Sequence, residues 1–260
     1  MRWIAGAMAA IVLVTGCGSA AERQATVGGA TTGSPAVTGT VTVFAAASLT
    51  ESFSTLARQF EDAHPGSKVR LNFGASSALA LQIDQGAPAD VFASASAKNM
   101  AQVIEAKAAT SSATFARNVL QIAVPPANPA AVTGLTDLAR PGVKVAVCQA
   151  QVPCGATAQQ VFDKAGIRVR AVTLEQDVKS VLTKVETNEV DAGLVYLTDV
   201  RAAGAKVKGI AIPDALNAST EYPIATLTSA ARPAAAAEFV AYVLSGAGQD
   251  VLSAAGFGKP

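Results

Sequence analysis

The sequence predicts an α/β fold in which parallel strands alternate with helices. Three observations predict it. Half of the 260 residues are hydrophobic and only 15% are charged, so the chain can bury a core and lacks the composition of a disordered one. Short runs rich in Val, Ala and Phe alternate with longer segments whose apolar residues recur at helical spacing, the pattern of crossover connections. Twice, small residues and a serine separate such a run from a helical pattern, at Val43 to Leu49 and at Phe73 to Leu81. Ligands of parallel sheets lie at the carboxyl ends of the strands, which is where Ser48 and Ser76 fall.

The chain opens with Arg2 and an apolar run from Trp3 to Thr15, too short to span a bilayer and suited to a secretory signal. Leu13-Val14-Thr15-Gly16-Cys17 resembles a bacterial lipobox, which implies a signal peptide over 1–16, cleavage before Cys17 and lipidation of its thiol; ordinary cleavage that removes Cys17 is the alternative. Residues 17–39 read as lipid anchor and flexible tether, rich in Gly, Ala, Ser and Thr without apolar periodicity. About 220 residues remain, enough for one large or two small domains.

From there the elements follow in order. Strands are expected at 40–45, 68–73, 91–94, 119–124, 143–147, 192–196 and 224–227. Helices are expected at 48–63, 76–85, 98–105, 135–139, 156–165, 178–187, 234–244 and 248–255. In the first helix Leu49, Phe53, Leu56 and Phe60 share a face, and His64-Pro65-Gly66 stops it. Pro125-Pro126 ends the strand expected at 119–124.

The two serines carry the chemistry. A strand that delivers a hydroxyl to a helix start also delivers backbone N–H groups without helical partners, at the positive end of the helix dipole. Two such starts suit one anion held between them. The plain alternative is that each serine only caps its helix. Cys148 and Cys154 stand six apart in an expected loop; an exported location permits a disulfide, and two free thiols are the alternative. The single histidine, His64, gives neither a metal cluster nor a Cys–His pair and reads as a helix end. Asp90 reads as a structural hydrogen-bonding residue and Asp177 as an N-cap. The formal charge of +1 gives no reason to expect nucleic acid as a partner.

Val41-Thr-Val-Phe-Ala-Ala-Ala-Ser-Leu-Thr50 resembles the start of the periplasmic molybdate-binding proteins of ABC transporters. Phe73 to Ser77 with Leu79, Gly86 to Phe92, Val152-Pro153-Cys154-Gly155, Gln176-Asp177-Val178, Gly193 to Tyr196, Glu221-Tyr222-Pro223 and Gly256-Phe257 continue the likeness in order, over residues 40 to 258. The resemblance implies a two-lobed periplasmic-binding-protein fold of type II. Each lobe is a mostly parallel sheet flanked by helices, with the oxyanion in the cleft. Lobe one would be 40–117 plus 224–258, and lobe two 118–223. By position, Ser48, Ser76 and Tyr196 match the family's hydroxyl ligands, and Cys154 and Val178 its backbone N–H donors. Cys stands at 154 where some relatives have Ala, a change that a main-chain contact tolerates.

The chemistry agrees. Molybdate and tungstate are fully deprotonated dianions at neutral pH, so their pocket needs donors only, and hydroxyls and backbone N–H groups supply them without a cation. Hydrogen phosphate carries a proton that wants an acceptor. Sulfate has the same charge pattern and is distinguished by size. The resemblance therefore implies a lipid-anchored, exported, monomeric solute-binding protein. It would hand molybdate or tungstate to a permease with its ATPase, with no resident cofactor and no direct protein–metal ligand. The same fold with sulfate, iron or another small anion is the alternative. An exported hydrolase is weaker for want of a Gly-x-Ser-x-Gly elbow, a metal cluster or a base for either serine. A purely structural surface lipoprotein is the remaining class.

Overall fold

A computed structural model describes residues 38–260. The expected signal peptide, Cys17 and nearly all of the tether lie outside the described residues. Within them, β1 (Gly39–Ala46), β2 (Ser67–Gly74), β3 (Val91–Ala93), β4 (Ala113–Val124), β5 (Val145–Cys148), β6 (Thr173–Glu175), β7 (Ala192–Tyr196), β8 (Lys208–Ala211) and β9 (Ser219–Thr226) form one sheet. Its order is β2-β1-β3-β9-β4-β7-β5-β6, with β8 beside β4. The two ends are parallel: β1 pairs with β2 and β3, and β5 with β6 and β7. The middle is antiparallel, where β9 pairs with β3 and β4, and β4 with β7 and β8. The fold is thus the expected α/β fold, with a mixed sheet flanked by helices.

The helices are α1 (Thr50–Ala63), α2 (Ser76–Asp84), α3 (Ala97–Glu105), α4 (Pro153–Ala165), α5 (Val178–Glu186), α6 (Leu197–Ala203), α7 (Pro233–Leu244) and α8 (Gly246–Ala255). Buried on both faces, the first parallel end alternates its contacts. Val41, Val43 and Ala45 of β1 face Phe53, Phe60 and Phe239 of α1 and α7, while Phe44 faces Leu79 and Ile83 of α2 and Met100 of α3. Phe53 and Phe60 are fully buried with their rings against Phe239. Truncating such a ring to Ala costs about 3–5 kcal/mol. A separate apolar cluster around Val145, Leu194, Val161 and Val181 fills the other end. There Gly193 lets α5 lie close on β7, since a Cβ would stand 2.7 Å from Val181.

Two strands pass from one end of the sheet to the other. β4 pairs with β9 up to Val119 and with β7 from Leu120. β9 runs back beside it to reach β3. Both are longer than the sequence predicts. Proline lacks a ladder N–H and argues against a strand, yet Pro223 is accommodated in β9 where the register slips between Thr114 and Ala116. Three short elements, β6, α6 and β8, give no periodic signal and are not predicted. Helix α4 starts at Pro153, three residues before its predicted start, because proline is pre-set for a first helical position.

Candidate functional site

Four chain turns meet at one cavity. It is lined by Ala46–Ser48 after β1, Gly74–Ser76 after β2, Val152–Cys154 after β5, Asp177–Val178 before α5, with Ala95 and Tyr196. All five residues expected to bind ligand, Ser48, Ser76, Cys154, Val178 and Tyr196, stand in its wall. The space is about 210 Å³, open solvent at its mouth included. That is below the ~300–1,000 Å³ of pockets for drug-sized ligands.

Neither serine serves as a plain helix cap. Ser48 lies in a one-turn 3-10 helix, Ala47–Leu49, that precedes α1, and the position before this turn is Ala46, which has no side-chain cap. The predicted helix from 48 is therefore α1 with this turn in front. Ser76 is the first residue of α2, behind Ala75, again without a side-chain cap. Helix α4 begins likewise behind Val152. Its second residue, Cys154, and the first residue of α5, Val178, carry N–H groups that no helical carbonyl reaches. Asp177 caps α5 as expected, its Oδ1 accepting from Ser180 N–H at 2.9 Å. Among the described residues no Lys, Arg or His lines the cavity. The helix starts aim the positive ends of their dipoles at it.

The hydroxyls have defined partners. Ser76 Oγ accepts from Ala95 N–H at 2.9 Å, and Ser48 Oγ stands 2.9 Å from Tyr222 Oη. The Tyr196 hydroxyl is buried with no well-formed hydrogen bond; the Thr157 and Tyr222 hydroxyls are its polar neighbours. Burial, with Asp199 nearby, pushes its pKa far above the usual tyrosine value, so it stays protonated and able to donate.

Behind Tyr196 lies a charged cluster. Asp199 is fully buried; its Oδ2 accepts from Tyr196 N–H at 3.1 Å and its Oδ1 meets Lys179 Nζ at 3.0 Å. Lys179 also reaches Glu51 of α1 at 2.9 Å, tying the first turn of α5 to that of α1. Burial pulls the Lys179 pKa down, but Asp199 and Glu51 outweigh it and hold the net value above the ordinary one.

Cys148 and Cys154 are joined as a disulfide, Cα to Cα 5.7 Å. The ring is tight: a Cβ on Gly155 would lie 2.0 Å from the Gln149 carbonyl, so α4 starts this close to the loop only with glycine there. Asp90 is structural, accepting from Thr42 and Ala231 N–H groups. His64 ends α1, with Nδ1 on the Phe60 carbonyl and its ring stacked on Phe60. The sequence alone gives no role for Tyr222, Asn118 or Thr198, the buried polar residues behind Ser48. Tyr222 sits in the Glu-Tyr-Pro motif, and Asp199, three residues after Tyr196, is the local capping signal for α6.

A fold of this topology with a small cavity between its two ends is that of a solute-binding protein, and comparison with known proteins agrees. The family model of bacterial extracellular solute-binding proteins matches residues 41–258, and the chain belongs to that family. It is 40% identical, over the whole of both chains, to the molybdate-binding protein ModA of Mycobacterium tuberculosis. Among solved structures, the periplasmic molybdate-binding protein of Azotobacter vinelandii superposes with a TM-score of 0.74 at 23% identity, covering 85% of this chain and 99% of the other. The sulfate-binding protein SubI of Mycobacterium tuberculosis gives 0.76 at 18% identity, over 84% and 86%; at such identity the likeness is one of fold. No helix among the described residues is long and apolar enough to cross a membrane.

Proposed function

We propose that the protein captures molybdate, and tungstate with it, outside the cell and delivers it to an ABC importer. The observation that carries this reading is the wall of the cavity: helix starts with free N–H groups, two serine hydroxyls and a buried tyrosine hydroxyl with no well-formed bond, and among the described residues no cationic side chain; its one carboxylate, Asp177, is engaged in capping α5. Each of these N–H and O–H groups donates to an oxygen of a fully deprotonated dianion. In this reading Ser48, Ser76 and Tyr196 bind through hydroxyls, and Cys154 and Val178 through backbone N–H. The metal is reached only through its oxygens. The bound ion is cargo, and the protein is no enzyme.

Lobes of 40–117 plus 224–258 and of 118–223 would close on the ion about β4 and β9. The exported chain would be a monomer held to the outer face of the membrane by lipid on Cys17, with the Cys148–Cys154 bond kept in the oxidising exterior. Cys17→Ala should then shift the protein from the membrane to the soluble fraction; an unchanged fractionation would remove the anchor. Thermal melting of the soluble domain tests the ligand: molybdate and tungstate should each raise the melting temperature, and stabilisation by neither would refute the reading.

A further inference from the structure

A buried polar chain leads to Ser48 from the two long central strands. Asn118 on β4, Tyr222 on β9 and Ser48 are all nearly inaccessible to solvent. Asn118 Oδ1 accepts from Val119 N–H at 3.0 Å. A backbone N–H can only donate, so the other end of that side chain is the NH₂ group, which can only donate too. It donates to Thr198 Oγ1 at 2.9 Å and, over a longer 3.4 Å, to Tyr222 Oη. With that contact made, the Tyr222 proton has one acceptor of good geometry, Ser48 Oγ at 2.9 Å, since the neighbouring Tyr196 hydroxyl makes no well-formed bond. The reverse sense, Ser48 donating to Tyr222, would leave a buried tyrosine proton without an acceptor of good geometry, which is costly. Ser48 therefore accepts from behind, and its own proton is free for the cavity that it lines.

We propose that Tyr222 and Asn118 are positioning residues that fix the Ser48 hydroxyl as a donor toward the ligand and so favour fully deprotonated oxyanions over protonated ones. The proposal rests on the oxyanion reading of the site. Its consequence is a matter of specificity. A serine whose proton is held toward the ligand, with one lone pair already taken by Tyr222, is a poor acceptor for hydrogen phosphate; a serine released from Tyr222 can turn and present a lone pair. The Tyr222 ring packs edge-on against Phe115, Tyr196 and Phe257, so Tyr222→Phe deletes the hydroxyl and keeps the packing.

The test is to titrate wild type and Tyr222→Phe with molybdate and with inorganic phosphate at pH 7, and to melt both without ligand. The molybdate-over-phosphate affinity ratio should fall about tenfold in Tyr222→Phe, since one charge-assisted bond is misdirected while the others stay. Asn118→Ala, which keeps the Tyr222 hydroxyl but frees its orientation, should move the ratio in the same direction. A ratio within twofold of wild type in a folded variant overturns the proposal, even where both affinities drop together with the melting temperature, because that is the mark of a merely structural role. Wild type that binds no molybdate refutes the oxyanion reading itself, and the positioning role with it.

Discussion

Ser48 and Ser76 occupy matching places, each just past a strand at the start of a helix, yet they are held by different means. Ser76 receives a backbone N–H, from Ala95, in the same end of the sheet. Ser48 meets a side chain, Tyr222, that belongs to a strand running between the two ends. Both hydroxyls are thereby turned outward. The difference is in what else each is coupled to. Main chain fixes Ser76 independently of the rest of the site. Ser48 is coupled through Tyr222 and Asn118 to the central strands, and its neighbouring helix through Glu51 and Lys179 to α5. A common ligand geometry can thus be built with one rigid and one adjustable half.

The largest effect should come from removing both halves. Hydrogen bonds to a charged partner are worth about 1.5–3 kcal/mol each, so Ser48→Ala or Ser76→Ala alone should weaken molybdate binding roughly 10- to 150-fold. The double variant should lose about 10²- to 10⁴-fold if the two act independently. Calorimetric titration of the three variants checks this, and single variants with wild-type affinity would move the ligand elsewhere. The smallest effect belongs to the Lys179–Glu51 tie, exposed on its Glu51 side. Glu51→Gln removes the reach of Lys179 to α1 while leaving Lys179 on Asp199. Exposed ion pairs contribute about 0.2–1 kcal/mol, so molybdate should dissociate about 1.5- to 5-fold faster in low salt. Stopped-flow release reads that rate, and an unchanged value would show that the tie does not hold the two sides of the cavity together.

Much of this was legible in the sequence, for physical reasons. The strand-small-serine-helix runs at 43–49 and 73–81 are local signals, and they mark both serines, while Asp177 is a local cap. What a sequence does not carry is the non-local partner. Tyr222 lies 174 residues from Ser48, and Asn118 lies 104 from Tyr222. Their roles depend on β4 and β9 running side by side through the middle of the sheet. Those strands also run longer than the sequence predicts, because Asn118 and Pro223 interrupt the alternation that marks a strand. Helix α6 escaped for a related reason: seven residues directly after β7 are too few to show a helical period.

The most direct test of the donor-only site is calorimetric titration of the purified soluble domain with molybdate, tungstate, sulfate and hydrogen phosphate at neutral pH. Tight binding of molybdate and tungstate, with hydrogen phosphate far weaker for want of an acceptor, is the predicted result. Hydrogen phosphate bound as tightly as molybdate would contradict the account.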